Sequence, residues 1–412
     1  MESGIRQLEE RGFIQQCSDI ERLKEVMSSE RISFYVGVDP TARSLHVGHM
    51  VPFYAMAHLQ QAGHRPILVV GAGTGLIGDP SGKSEMRKII SLEEIRENEK
   101  AIKWGASKLL DFSEGRGIMV NNYDWLGGLN YIEFLRDIGR HFSVNRMLSF
   151  EAYKQRLERG LSFIEFNYML LQSYDFLILN RQYGCKLQVG GDDQWGNILS
   201  GVELIRRMDG EEAFALTFPL ITTADGKKMG KTEKGAIFLD PDLCSPYEFY
   251  QYWRNVNDAD VIRFMKMFTF LPLEEIEEYA GLEGRDINRG KEKLAWEQTK
   301  IIHGREEADR ALEAARTAFS VAGSEGHEAI PSLEIPKREL AEGINVLELF
   351  ARTELCSSKS EARRLVSQGG ARINDEKITD IEATIDLSRA EDGELLLRAG
   401  KKRYFRVVVT GE

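Results

Sequence analysis

The sequence predicts an α/β protein in three parts: a parallel-sheet domain, an α-helical domain and a small α+β unit. Three observations carry that reading. Residues 32–38 and 65–70 are apolar runs separated by a helical pattern, the β-α-β alternation of a sheet buried on both faces. Residues 246–319 keep a helical period. Residues 345–412 show two short helical patterns and then three or four strand-like runs ending in Tyr404–Val409.

At 412 residues the chain exceeds one ordinary core, which fits two or three domains. No run approaches the roughly 18 apolar residues of a membrane span, and residues 1–10 are polar and acidic rather than a signal or transit peptide. A cytoplasmic protein with no membrane partner is expected. Cys17, Cys185, Cys244 and Cys356 form no C-x-x-C pair, which supports neither a disulfide framework nor a zinc site. The net charge of −11 argues against indiscriminate nucleic-acid binding. Residues 345–412, however, hold twelve Lys/Arg and twelve Asp/Glu, so the acidic excess lies upstream and any RNA contact should be local.

In chain order, a helix-like N-terminus (Ile5, Leu8, Phe13, then Ile20, Leu23, Val26) precedes the first strand, which Asp39-Pro40 ends because proline cannot continue a ladder. His46-Val47-Gly48-His49 then opens a helix to about Ala62, placing both imidazoles at a strand-to-helix junction where free N–H groups and the helix dipole attract anions. Residues 71–84 are glycine-rich. Gly73-x-Gly75-x-x-Gly78 matches the dinucleotide fingerprint, but Asp79-Pro80-Ser81-Gly82 follows as a turn where that motif needs a helix. Gly82-Lys83-Ser84 resembles the end of a P-loop, yet Ile77 occupies the position of its first glycine.

Capping boxes at Ser91/Glu94 and Ser162/Glu165 start two helices, the first reaching about Leu110 and the second ending at Gly184. Residues 118–120 and 186–189 read as strands. On the second helix Tyr168, Gln172 and Asp175 share one face among apolar neighbours, either as a satisfied core network or as a stripe lining a ligand cavity. Gly190-Gly191-Asp192-Asp193-Gln194-Trp195 leads into a helix to about Met208. Residues 222–234 have no hydrophobic period and read as a lysine-rich loop, solvated or closing on phosphates. Asp258 is expected to cap a helix and Pro272 to occupy a first turn. The predicted boundaries are a sheet domain over 1–222, the loop over 223–235, a helical domain over 236–320, a flexible linker over 321–342 with Pro331 and Pro336, and the small domain over 343–412.

His46-x-Gly48-His49 and Lys228-Met229-Gly230-Lys231-Thr232 resemble the two signatures of class I aminoacyl-tRNA synthetases, whose catalytic domain is Rossmann-like. Together with Tyr35-x-Gly37-x-Asp39-Pro40-Thr41, Asp79-Pro80-Ser81-Gly82-Lys83, Tyr168-x3-Gln172-x2-Asp175 and Gly190-Gly191-Asp192-Asp193-Gln194, they are similar to bacterial-type tyrosyl-tRNA synthetases over essentially the whole chain. Val47, Gly230 and Thr232 depart from the commonest signature residues and leave the charged and imidazole groups intact.

The resemblance implies activation of L-tyrosine by ATP, with Mg²⁺ accompanying the nucleotide, then transfer to tRNA(Tyr) by a homodimer. It implies that Thr41, His46, His49, Lys83, Arg87, Lys228, Lys231 and Thr232 serve the triphosphate. Tyr35 and Asp175 would meet the phenolic hydroxyl, Asp79, Tyr168 and Gln172 the ammonium, and Gln194 would complete the tyrosine pocket. Gly37, Asp39, Gly48, Gly191, Asp193 and Lys231 would line the adenylate. No protein cage for a metal is visible in the sequence. Residues 358–374 are similar to an S4-type RNA-binding module, with Arg363, Arg364, Arg372, Lys401, Lys402 and Arg403 as its basic groups toward tRNA phosphates.

Three other readings compete. A tryptophanyl enzyme would share fold and reaction, but an indole offers a donor where Tyr35 and Asp175 expect a hydroxyl. A catalytically inactive RNA-binding or splicing cofactor on the same scaffold is opposed by intact His46, His49, Lys228 and Lys231. A dinucleotide-dependent oxidoreductase rests on the glycine fingerprint alone.

Overall fold

The computed structural model describes residues 4–81, 91–158, 160–224, 226, 229–232, 235–284, 286–319, 331–353, 355–374, 376–391, 393–400 and 403–411. The chain forms two compact units, Met1–Cys244 with Tyr252–Ile302, and Ser245–Gln251 with His303–Glu412. Among the described residues no helix is long and apolar enough to cross a membrane.

The first unit is built on a six-stranded sheet in the order β1-β6-β5-β2-β3-β4, comprising β1 (Gln16–Cys17), β2 (Ser33–Val38), β3 (Arg65–Val70), β4 (Ile118–Asn121), β5 (Cys185–Gly191) and β6 (Phe214–Phe218). Strands β2 to β6 are parallel, and β1 adds an antiparallel edge through Gln16↔Thr217 and Cys17↔Leu216. That edge strand interrupts the segment expected to be helical at the N-terminus. Two polar-flanked residues are too short a run to show period 2, and only pairing with β6 makes them a strand.

From β2 the chain goes to β3 and β4 on one side, then returns to β5 on the other. The strand order therefore reverses between β2 and β5, and the crevice beyond their C-terminal ends is the place where such sheets bind ligands. Strand β2 is central because its side chains are buried from Ser33 to Val36, and Tyr35 packs against Phe176 with ring centroids 5.2 Å apart. Helix Met50–Gln61 is buried almost all round. Helix Phe163–Tyr183 starts at the Ser162/Glu165 capping box and ends at Gly184, whose φ of +60° suits a residue without Cβ. Such a cap contributes about 1 kcal/mol. The Ser91/Glu94 box likewise starts helix Leu92–Ala106, which stops short of the expected Leu110.

Asn257, not Asp258, caps the short turn Asp258–Asp260 by accepting from the Ala259 N–H, and Pro272 stands just before helix Leu273–Ala280 rather than in its first turn. The first shift follows because a capping side chain must precede the first turn to reach its N–H groups. The buried Arg11 guanidinium closes the end of helix Val261–Phe268 by donating to the carbonyls of Lys266, Thr269 and Leu271 at 2.9, 3.2 and 2.7 Å.

The second unit carries a five-stranded sheet in the order Glu376–Ile378, Ala371–Ile373, Glu394–Ala399, Arg403–Thr410, Ser332–Pro336, with helices Val346–Arg352 and Lys359–Ser367 over its core. The expected linker over 321–342 divides. Residues 321–330 lie outside the described residues, whereas Ser332–Pro336 is a strand parallel to the last strand and Lys337–Glu342 is a helix. Of the two prolines that suggested a linker, Pro331 precedes this strand and Pro336 is its last residue, at the sheet edge where proline is tolerated.

Candidate active site

The C-terminal ends of β2, β3, β4 and β5 supply the polar residues of one crevice. Beyond β2, Asp39 accepts from the Tyr168 hydroxyl through Oδ2 at 3.1 Å and from the Thr74 hydroxyl through Oδ1 at 2.8 Å. The chain past β3 must lie close to it: a Cβ on Gly71 would come 2.1 Å from Asp39 Oδ1. Beyond β4, the buried Asn122 amide donates to Thr74 Oγ1 and Asp175 Oδ2, each at 3.0 Å, and accepts from the Gly73 N–H at 2.7 Å. Trp125 Nε1 donates to the second Asp175 oxygen at 2.7 Å. Both carboxylate oxygens of a 4 % exposed aspartate are thus held by side chains from a single turn after β4.

Burial pushes the Asp175 carboxyl up to about 7, against the lowering effect of the Asn122 and Trp125 hydrogen bonds and with a further raising contribution from Asp39. Tyr35, on the neighbouring strand, is 1 % exposed, and its hydroxyl has no hydrogen-bond partner among the described residues. Burial first, then the Asp175 charge, raises its pKa well above the usual phenol value. Gln188, the register partner of Tyr35 on β5, is also buried with an unpartnered amide oxygen. A buried hydroxyl without a partner costs about 1–3 kcal/mol, so these groups suit a ligand that supplies one. Gly37 completes the opening: it is exposed, and a Cβ there would meet nothing within 4 Å.

A second network lies beyond β5. Gln194 Nε2 donates to Asp79 Oδ2 at 2.6 Å, and the Asn197 amide donates to Gln194 and Gln172 at 3.2 Å each. The Tyr168, Gln172, Asp175 stripe therefore joins the Asp39, Asp79 and Asn122 networks, residue by residue. Of the adjacent aspartates, Asp192 is fixed by Gln16 and Thr217 at 2.7 and 2.9 Å. A Cβ on Gly191 would meet the other, Asp193, at 2.7 Å from Oδ1.

The two histidines stand at a 3-10 turn, Val47–His49, before helix Met50–Gln61. Here the expectation of free backbone N–H groups is corrected. His46 Nδ1 accepts from the Gly48 N–H at 3.0 Å, His49 Nδ1 accepts from the His46 N–H at 3.2 Å, and the Val47 N–H goes to Ile237. A neutral imidazole that accepts at Nδ1 carries its proton on Nε2, so the rings, stacked at 3.8 Å, offer Nε2–H donors in place of the backbone. Thr41 is exposed just past β2.

The second signature meets the first through backbone. Hairpin strands Lys231–Thr232 and Gly235–Ala236 pair with each other, Ile237 donates to the Gly230 carbonyl at 3.0 Å, and Leu239 donates to the Leu45 carbonyl at 2.9 Å. Gly230 has φ +80°, and a Cβ there would lie 2.6 Å from Gly48 N, so this departure from the commonest signature suits the local packing. Lys83, Arg87 and Lys228 lie outside the described residues. In the second unit Arg363 and Arg364 are exposed on helix Lys359–Ser367, Arg372 lies on strand Ala371–Ile373, and Arg403 donates to the Leu355 carbonyl at 3.0 Å. Lys401 and Lys402 lie outside the described residues.

Thr74, Asn122, Trp125 and Gln188 join this site without having been singled out from sequence. The usable signal for Asn122 and Trp125 was position: polar and aromatic residues directly after a buried parallel strand.

Residues 27–320 match the family model described as tRNA synthetases class I (W and Y), and residues 324–407 match that of the tyrosine–tRNA ligase SYY-like C-terminal domain. The chain is 54 % identical over 407 residues to a tyrosine–tRNA ligase of Acetivibrio thermocellus, covering 99 % of each chain. It is 56 % identical over 409 residues to one of Treponema denticola, covering 99 % of this chain and 100 % of that one. A C-terminally truncated mitochondrial tyrosyl-tRNA synthetase of Aspergillus nidulans superposes with a TM-score of 0.69 at 33 % identity, over 77 % of this chain and 95 % of that structure. A tryptophanyl-tRNA synthetase of Encephalitozoon cuniculi shares the fold, with a TM-score of 0.56 at 15 % identity over 74 % of this chain and 87 % of that one.

Proposed function

The chain belongs to the tyrosine–tRNA ligases, within the class I tryptophanyl and tyrosyl tRNA synthetases, and on that premise we propose how its residues divide the work. The protein activates L-tyrosine with ATP and transfers it to tRNA. In the first step the tyrosine carboxylate attacks the α-phosphorus of ATP, a P–O bond forms, and pyrophosphate leaves. In the second a ribose hydroxyl at the tRNA 3′ end attacks the adenylate carbonyl and AMP leaves.

Tyr35 and Asp175 read the phenolic hydroxyl, and one observation carries that reading: a buried Tyr35 hydroxyl without a partner among the described residues, beside a buried carboxylate already held by two donors. Tyrosine supplies the missing partner, while phenylalanine leaves the groups unpaired at about 1–3 kcal/mol each. An indole presents an N–H toward groups placed for a hydroxyl that both donates and accepts. Asp79, Tyr168 and Gln172 hold the ammonium and Gln194 completes the pocket. Asp39, Gly37, Gly48, Gly191 and Asp193 line the adenylate.

Two anions meet in the first step and charge grows on the phosphate oxygens, so positioning and fixed donors lower the barrier. His46 and His49 give Nε2–H donors, and Thr41, Thr232, Lys83, Arg87, Lys228 and Lys231 add hydroxyl donors and positive charge. Among the described residues no group of three or more His, Cys, Asp or Glu could hold a metal ion. Mg²⁺ would accompany the triphosphate, whose oxygens are the hard ligands it prefers.

Among the described residues, eight of the ten large exposed apolar side chains fall between Tyr123 and Ile164, among them Ile132 at 69 % and Phe163 at 70 % exposure, which supports a homodimer through that segment. Light scattering should return twice the chain mass; a monomer would remove that assignment. Arg363, Arg364, Arg372, Lys401, Lys402 and Arg403 contact tRNA phosphates, and a cytoplasmic location fits the substrates.

Tyrosine-dependent ATP–pyrophosphate exchange without tRNA, run beside tryptophan and phenylalanine, tests the site. Exchange with tyrosine alone is expected. Exchange with tryptophan would overturn the pocket assignment, and no exchange with any of the three would overturn the catalytic one.

A further inference from the structure

The stem of the lysine signature is held by side chains that belong to neither signature. Tyr252 Oη accepts from the Gly230 N–H at 3.1 Å. Gly230 in turn accepts from Ile237 N at 3.0 Å, and Ile237 accepts from Val47 N at 2.9 Å. One phenol is therefore the first link of a hydrogen-bond chain that ends in the Val47–His49 turn. On the other side of the loop, the buried Asp260 accepts from the Ala224 N–H at 2.7 Å through Oδ2 and from Arg263 at 2.6 Å through Oδ1. Arg263 also donates to the Thr222 carbonyl at 2.5 Å. Asp260 is 3 % exposed as a side chain, so its contacts are made in a low-dielectric setting where geometry is tightly held.

The tolerance at the far end of this chain is small. A Cβ on Gly48 would come 3.1 Å from the Met229 carbonyl, and one on Gly230 would come 2.6 Å from Gly48 N. A slip of the Gly230 backbone by a few tenths of an ångström is felt directly at the histidine turn.

We propose that Tyr252 and the Asp260–Arg263 pair are positioning residues for tyrosine activation, setting the backbone of Gly230–Thr232 against the Val47–His49 turn. They touch neither the tyrosine nor the nucleotide. Their contribution is registration of two donor sets that must address one triphosphate together. The inference rests on the assignment of Lys231 and His46 to that triphosphate.

The test is Tyr252→Phe, which removes one oxygen, measured by tyrosine-dependent pyrophosphate exchange, equilibrium tyrosine binding and melting temperature. The expected result is a kcat about tenfold lower, with KM and Kd for tyrosine within twofold of the parent. Asp260→Ala should give the same split, and Asp260→Asn, which keeps an acceptor for Ala224, should recover part of kcat. An unchanged kcat in both Tyr252→Phe and Asp260→Ala, or a rise in tyrosine Kd matching the loss of kcat, overturns the proposal. Lys231→Ala separates it from its premise. If that variant exchanges normally, the signature assignment fails and this inference with it; if it collapses while Tyr252→Phe and Asp260→Ala do not, the inference alone fails.

Discussion

The two ends of the active-site crevice are built by opposite means. At the end proposed for the amino acid, side chains do the holding: Asn122, Trp125, Thr74 and Asn197 fix Asp175, Asp39 and Gln172 in buried networks. At the end proposed for the nucleotide the backbone does it, since the histidine turn and the signature hairpin meet through main-chain hydrogen bonds and two glycines. The difference follows from the ligand. Telling one hydroxyl from its absence requires desolvated partners that suffer when left unpaired. A triphosphate is bound by charge and several donors in partly solvated surroundings, where the chain must supply close approach.

If that contrast is right, damage at the amino-acid end appears in tyrosine binding and damage at the nucleotide end appears in turnover. The largest effect should come from Asp175→Asn. Its amide would turn an NH₂ toward either Asn122 or Trp125, both of which already donate. Steady-state exchange kinetics should show kcat/KM for tyrosine down by about a hundredfold, chiefly in KM. A loss confined to kcat would erase the contrast. Next comes Gly230→Ala, which forces a Cβ into the 2.6 Å approach to Gly48 N at a φ of +80°. Turnover should drop about thirtyfold while tyrosine Kd stays put, an effect of roughly 2 kcal/mol.

The same contrast explains what the sequence made legible. The nucleotide end is contiguous in sequence because backbone turns need runs of neighbouring residues, so His46-Val47-Gly48-His49 and Met229-Gly230-Lys231 can be seen as motifs. The helix stripe was visible through its spacing at Tyr168, Gln172 and Asp175. The partners of its Asp175 were not: Asn122 and Trp125 follow β4, far from the helix in sequence, and only tertiary packing brings them to it. Periodicity likewise found β2 and β3 but not the two-residue edge β1, nor Ser332–Pro336, whose prolines resembled linker composition until the partner strand was known. The occupied N–H groups at the histidine turn also escaped, because whether an imidazole accepts locally or points away is a rotamer, not a spacing.

Smaller changes sharpen the amino-acid end. Asn122→Ala leaves Asp175 Oδ2 and the Gly73 N–H without that partner, so tyrosine KM should rise about twentyfold with a lowered melting temperature. An unchanged KM would show that Trp125 alone holds the carboxylate. Acid should act on the same group. With its carboxyl pushed up to about 7, Asp175 takes a proton as pH falls from 8 to 6 and loses an acceptor for the phenol, so tyrosine KM should rise about tenfold over that interval. Asp175→Asn should flatten the profile, and a flat profile in the parent protein would contradict the assignment. The stability sign is the reverse: because the folded carboxyl keeps a proton that the unfolded chain releases, this group's ionisation weakens the fold as pH rises from about 4 to about 7.

The mildest test is Tyr35→Phe. It deletes an oxygen that is buried without a partner among the described residues, so the free protein loses only an unfavourable burial and should melt no lower than the parent. The bound state loses a hydrogen bond to tyrosine, and kcat/KM for tyrosine should fall about fivefold while that for phenylalanine holds or rises. The opposite signs of the two readouts are the point. A group kept for folding would cost stability when removed, whereas one kept for recognition costs only the substrate it recognises.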